Sequence, residues 1–222
     1  MRVYCLLSLL VQVDTNLCRT AMPPIVLFTV ATLLPVPLLA LAALFGGSWV
    51  VLAFLFMTAM TATLDEVIPL VTPAEPESEF PAANLLSVTL AVAHFGLLFL
   101  TIRAFSDPHH TLLTLVGLVA AMGLYFGQVS NSNAHELIHR PTRLLSRLGR
   151  WVYISLLYGH QTSAHTLVHH RYAATPLDPL TARMGESYYA FVIRAWRGSF
   201  REGFKAETRL SRIGKRAWYQ HP

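Results

Sequence analysis

Between Arg19 and Asp65 the chain carries no charged residue. A membrane-crossing helix needs about 20 predominantly apolar residues, so this stretch accommodates two. They read as residues 25–45 and 49–64, joined through Gly46-Gly47-Ser48 into a tight helical hairpin. Pro35 and Pro37 should kink the first of them, which neighbouring helices tolerate inside a membrane. Residues 65–79 form a Pro- and Glu-containing loop, residues 82–102 a third span, and residues 112–129 a fourth. The apolar stretch 151–158 is too short to cross and reads as an interfacial piece. The pattern predicts an all-α fold, a polytopic membrane bundle of about four spans.

Composition agrees. Of 222 residues, 54% are hydrophobic and 13% charged, about half the charge of an ordinary soluble domain. This excludes a disordered or nucleic-acid-binding tail. The charge is also uneven. Residues 1–134 hold three basic residues, Arg2, Arg19 and Arg103, against seven acidic ones, whereas residues 135–222 hold fourteen basic and five acidic. Four spans place the N-terminus and residue 131 on one side, and Arg140, Arg143, Arg147 and Arg150 mark that side as cytoplasmic. The expected division is therefore residues 1–21 as an extension without a clear small-residue cleavage site, either a short interfacial helix or the result of an upstream start, 22–134 as the transmembrane region, and 135–222 as a cytoplasmic segment. Cys5 and Cys18 form no CxxC, and no GxGxxG or Walker loop is present, so no iron–sulfur, flavin or nucleotide site is encoded.

The cytoplasmic segment carries the chemistry. His135-Glu136-Leu137-Ile138-His139 is an HExxH, and His165-Thr166-Leu167-Val168-His169-His170 is an HxxxHH. On a helix, residues i and i+4 share a face, so His135 pairs with His139 and His165 with His169 toward a metal. His170 falls about 100° further round, toward the same metal or a second one. Neutral imidazole suits iron, zinc or copper. Glu136 points away from both histidines of its box and is a candidate catalytic base or ligand-orienting group. His160 reads as a structural or metal-supporting residue, and His94 as an intramembrane histidine with either a functional or a packing role. His109 and His110 read as loop residues. An HExxH zinc protease would leave three histidines idle, and a carboxylate-rich diiron site wants Glu residues that are absent. A histidine-rich dinuclear iron site doing oxygen chemistry on a lipid-borne substrate fits the donor set.

Together with Asn133-Ala134 before the first cluster and Tyr158-Gly159-His160 before the second, these boxes resemble the integral-membrane alkane 1-monooxygenases. So do Ala174-Thr175-Pro176-Leu177-Asp178-Pro179-Leu180-Thr181-Ala182-Arg183 and Gly185-Glu186-Ser187-Tyr188-Tyr189-Ala190-Phe191. The last two stretches set that family apart from the wider histidine-box desaturase and hydroxylase superfamily. The resemblance implies a non-haem diiron enzyme of the bacterial inner membrane. It would hydroxylate the terminal carbon of alkanes with O2 and electrons from rubredoxin and its reductase. It further implies two irons held by His135, His139, His165, His169 and His170, with Asn133 and Asp178 as supporting groups. Two departures stand out. Ala164 occupies a position where the family has Glu, and neither six spans nor a third histidine box of the form NYxEHYG is found in this sequence, so the chain is expected to be an N-terminal part of that fold. Another histidine-box hydroxylase or desaturase, an intramembrane zinc protease and an inactive fragment are the competing readings.

Two further patterns bear on function. Phe54, Phe56, Met57 and Met60 either line an apolar substrate channel or pack as ordinary core. Trp196, Phe200 and Phe204 recur every four residues beside Arg197, Arg201 and Lys205, the pattern of an amphipathic helix lying at the cytoplasmic interface. It would meet anionic lipid or an acidic electron donor.

Overall fold

The computed structural model describes residues 24–71 and 83–215. The expected extension at 1–21 and the acidic stretch 72–79 lie outside the described residues. Every regular element among those described is helical. Helix α1 (Pro24–Leu33) and α2 (Pro35–Phe45) are divided at Leu34, directly before Pro35, as a proline that removes a backbone donor requires. Gly46 and Gly47, with φ of 63° and 54°, make the left-handed turn into α3 (Ser48–Val71). A Cβ on Gly46 would stand 2.7 Å from His110 Nδ1, so the turn needs glycine twice over, for its φ and for its space. The backbone of α3 remains helical through Asp65 and Glu66 to Val71. This corrects the loop expected from residue 65, since two acidic residues do not by themselves end a helix.

Helix α4 (Ala83–Ala104) leads through a turn at Asp107–His110 into α5 (Leu112–Tyr125), whose N-cap Thr111 accepts from the Thr114 N–H. His109 is exposed on that turn, and His110 reaches the Ala43 carbonyl at 3.2 Å, so both serve the loop. Past Tyr125 the chain takes one π-helical turn, Phe126–Ser130, and continues without a break into α6 (Asn131–His139). The fourth expected span therefore runs further than residue 129, as a single rod that ends at His139. Arg140 is extended with ψ of 137°, and Pro141 follows; the residue before a proline avoids helical geometry.

Three stretches, Phe28–Phe45, Asn84–Ala104 and Leu112–His139, are long and apolar enough to cross a membrane, and Ser48–Thr63 is a shorter apolar helix. One core joins Leu39, Ala42, Val50, Ala53, Met57, Leu97, Leu118, Met122 and Tyr125. Met57 belongs to it while Phe54 faces outward, so the four residues considered for a channel do not share one surface.

A second core sits directly beneath the histidines. Ala91 of α4, Ala134, Leu137 and Ile138 of α6, and Val152 and Tyr153 of α7 (Arg143–Ser155) pack together. Residues 151–155 of the expected interfacial piece are the end of this amphipathic helix, with Trp151 out and Val152 and Tyr153 in, and 156–158 lead out of it. His94 is fully buried in α4 and holds Ser155 Oγ at 2.7 Å. Because Ser155 donates to the Val152 carbonyl, His94 donates through Nε2. It ties α4 to α7, the packing role. After α7 come the short α8 (Gln161–Ser163), a second π-helical turn Ala164–His169, the short α9 (His170–Tyr172), a loop, and α10 (Tyr188–Ile213).

Candidate metal centre

Helix α6 lays His135 and His139 on one face, as their spacing requires, with ring centroids 4.8 Å apart. The second cluster is built differently from the α-helical expectation. Its π-helical turn widens the register, so His165 and His170 converge, with Nε2 atoms 3.0 Å apart. His169 instead stacks on His165, centroids 5.0 Å apart. His165 Nε2 also lies 2.8 Å from His135 Nε2 and 3.1 Å from His139 Nε2. The ligand nitrogens of His135, His139 and His165 thus lie within 4.8 Å of one another, and His170 joins them through His165.

A neutral imidazole nitrogen offers either one N–H or one lone pair. His165 Nε2 can satisfy only one of its three nitrogen neighbours by hydrogen bonding. A cation satisfies all of them. Adjacent ligands on a metal with bonds of about 2.0–2.1 Å stand roughly 2.8–3.4 Å apart, which matches the three spacings here. Burial and then the neighbouring imidazoles push His165 down to about 3, so it is neutral and ligand-ready at physiological pH. The donor set, all imidazole, suits iron, zinc or copper and disfavours magnesium or calcium. Beside it, a cavity of about 480 Å³ is lined by His135, Glu136, Tyr153, Tyr158, Gln161 and His165, among others. The buried Gln161 Oε1 has no hydrogen-bond partner, leaving an acceptor free at this wall.

His169 is held by a carboxylate. Its Nδ1–H donates to Asp178 Oδ2 at 2.8 Å, which leaves Nε2 with its lone pair, the tautomer a metal ligand needs. Burial alone would raise the Asp178 carboxyl. Hydrogen bonds from Thr181 Oγ1, the Leu180 N–H and His169 outweigh it and hold the group below its ordinary value. Glu136 lies on the cavity wall with a largely exposed side chain, and Arg140 donates to it at 3.3 Å. An exposed pair of this kind is worth about 0–1 kcal/mol. Asn133 is buried but turns from the histidines, donating to the Ser87 carbonyl at 2.9 Å; it joins α6 to α4. His160 is not among the converging imidazoles: it meets Ser199 Oγ at 3.2 Å and packs edge-on against Tyr158, Trp196 and Phe200. Ala164 is buried against α10, where a Cβ on Gly203 would stand 3.1 Å from the Ala164 nitrogen. A carboxylate arrives nearby from α10, as Glu207 accepts from Ser163 at 2.7 Å.

Sequence reasoning missed Arg194 and Gln161, and it named Thr181 within its motif without its bond to Asp178. The amphipathic α10 is as expected, with Ala195, Ser199 and Gly203 turned inward and Trp196, Phe200 and Phe204 exposed.

Residues 109–221 match the fatty acid desaturase family, and the chain belongs to it. It is 32% identical over 150 residues to alkane 1-monooxygenase 1 of Alcanivorax borkumensis, an alignment covering 64% of this chain and 37% of that protein. It is 33% identical over 155 residues to an alkane 1-monooxygenase of Ectopseudomonas oleovorans, covering 69% and 37%. The xylene/toluene monooxygenase hydroxylase component XylM of Pseudomonas putida is 30% identical over 183 residues, covering 78% and 48%. The chain thus spans between a third and a half of the length of these relatives.

Proposed function

We propose that this chain forms the histidine-box part of a membrane non-haem iron monooxygenase that hydroxylates the terminal carbon of alkanes, taking electrons from rubredoxin and its reductase. The observation that carries this reading is the convergence of His135, His139, His165 and His170 at the end of a membrane-length helix. The names of the relatives supply the reaction class. His169, oriented by Asp178, is the fifth ligand of the proposed pair of irons. When bound, the iron supplies the activation of O2 that an imidazole set alone lacks.

The chain's residues supply the rest. The second core keeps α6 and α7 in fixed register beneath the imidazoles. Tyr153, Tyr158 and Gln161 wall the cavity in which the reacting carbon is held. The Glu136 carboxylate, on the same wall, is the group placed to accept or return a proton. The run Arg140, Arg143, Arg147 and Arg150 directly after the span favours a cytoplasmic placement of the boxes in an inner membrane. The exposed Arg197 and Arg201 of α10 fit an acidic electron donor or anionic lipid.

A second reading has a specific observation behind it. The relative aligned over the largest share of this chain among the three acts on xylene and toluene, so a methyl group on an aromatic ring is the competing substrate. Membranes carrying the chain, supplied with a reductase and rubredoxin, would be offered octane and toluene in parallel. Formation of 1-octanol supports the alkane reading, benzyl alcohol alone replaces it with the aromatic one, and neither product from iron-loaded membranes counts against both.

A further inference from the structure

Asp178 orients His169, but it sits on the irregular segment between α9 and α10, and such a segment holds a carboxylate in place only if something holds the segment. Its own bonds are local: Thr181 Oγ1 donates to Asp178 Oδ2 at 2.5 Å, and the Ala174 N–H donates to Thr181 Oγ1 at 3.0 Å. The long-range tie comes from one side chain of α10. Arg194 donates through Nη1 to the Pro179 carbonyl and through Nη2 to the Thr181 carbonyl, both at 3.0 Å. Its Nε and Nη2 also grip Glu186 Oε1 and Oε2, both at 2.6 Å. The carbonyls it holds belong to the residue after Asp178 and to the residue whose hydroxyl bonds Asp178. Glu186, bonded to the Arg183 N–H at 3.1 Å, closes the far end of the segment on the same guanidinium. The close approach of helix and loop is also built in: a Cβ on Gly198 would stand 2.5 Å from Pro179 Cβ.

We infer that Arg194 is a positioning residue for the metal centre, acting through the Pro179 and Thr181 carbonyls on Asp178 and through Asp178 on His169. It touches no metal or substrate itself. Only a planar fork with several donors can hold two carbonyls and a carboxylate at once; a lysine ammonium is a single point charge on a flexible stem. The inference rests on His169 being a metal ligand, as proposed above, in so far as it concerns metal affinity. Its structural half does not.

The test uses the full chain in detergent, as wild type, Arg194→Lys, Arg194→Ala and Glu186→Gln. In the metal-free chain with nitrogen-15-labelled histidine, the His169 Nδ1–H bonded to Asp178 gives a protected, downfield proton signal. That signal should be kept in wild type, weakened in Glu186→Gln and in Arg194→Lys, and lost in Arg194→Ala. Cobalt(II) titration should show affinity reduced roughly 10–100-fold in Arg194→Ala, the range for losing a ligand's supporting partner. The lysine variant should regain little of it. Gly149→Ala, which disturbs a different helix contact, controls for general loosening and should leave the His169 signal in place. An unchanged signal and unchanged cobalt affinity in Arg194→Ala would overturn the assignment. Wild-type affinity in Arg194→Lys would overturn the fork in favour of simple charge. A signal that responds as expected in a chain whose wild type binds no cobalt would uphold the positioning role and sink the metal reading instead.

Discussion

Gly149 lies on α7 where that helix presses on α6, the carrier of His135 and His139. A Cβ at this position would stand 2.7 Å from Leu137 Cβ, 2.9 Å from the Ala134 carbonyl oxygen and 3.0 Å from the Ile138 nitrogen. Ordinary carbon contacts begin near 3.5 Å, so the two helices would have to part by roughly 0.5–1 Å. Two of the three obstructing atoms are backbone, so no rotamer change relieves the clash. Overpacking of this kind costs about 1–3 kcal/mol, offset by about 1 kcal/mol of helix propensity gained on replacing glycine. Gly149→Ala is therefore expected to be net destabilising by up to about 2 kcal/mol. Gly96 and Gly123 are the contrast: a Cβ at either meets nothing within 4 Å, and alanine there should be neutral or stabilising by up to about 1 kcal/mol. The same parting carries His135 away from His165, now 2.8 Å apart at Nε2. Metal sites tolerate only about 0.5 Å of misplacement, so cobalt affinity should fall about tenfold or more. Unfolding followed by circular dichroism in detergent, with cobalt titration of the three variants, reads both effects. Gly149→Ala matching Gly123→Ala in stability and in affinity would refute the packing argument.

Other expectations follow from single contacts. Asp178→Asn removes the charge that orients His169 while keeping its shape, and metal affinity should drop about 10–100-fold, or about 1.4–2.7 kcal/mol, in the same titration. Thr111→Ala deletes the cap on the Thr114 N–H at the far end of α5; it should cost about 1 kcal/mol of stability and leave metal affinity unchanged. The Arg194 guanidinium holds Glu186 down to about 2 from an ordinary 4.5. With the folded value depressed, the stabilisation is complete above pH 4.5 and is lost as the pH falls toward 2, because the unfolded chain binds the proton first. Acid unfolding of Glu186→Gln should accordingly be flatter than wild type below pH 4.5.

The membrane helices and the first histidine box were legible because each rests on a local pattern: uncharged runs, Gly46-Gly47, Pro35, and the i,i+4 pair His135 and His139. The second box was legible as a ligand cluster but not in its geometry. Sequence spacing read as an α-helix pairs His165 with His169, whereas the π-helical turn at Ala164–His169 pairs His165 with His170. Nothing in the residue types announces that extra turn width; it is set by packing, and α10 lies against it at Gly203. Asp178 was found through its motif, but its dependence on Arg194 was not, since the two are joined only once the loop folds back on α10. The helical course of residues 65–71 was missed for a simpler reason. Charge ends a span more readily than it ends a helix's hydrogen bonding.

The claim on which the rest depends is that His135, His139, His165 and His170 hold a metal ion. Iron and zinc content of the detergent-purified chain, measured beside His165→Ala and His160→Ala, tests it most directly. The account predicts bound iron in wild type and in His160→Ala, and its loss in His165→Ala, the imidazole at which the other three meet. A wild-type chain without metal, or a His165→Ala chain that keeps its iron, would contradict it.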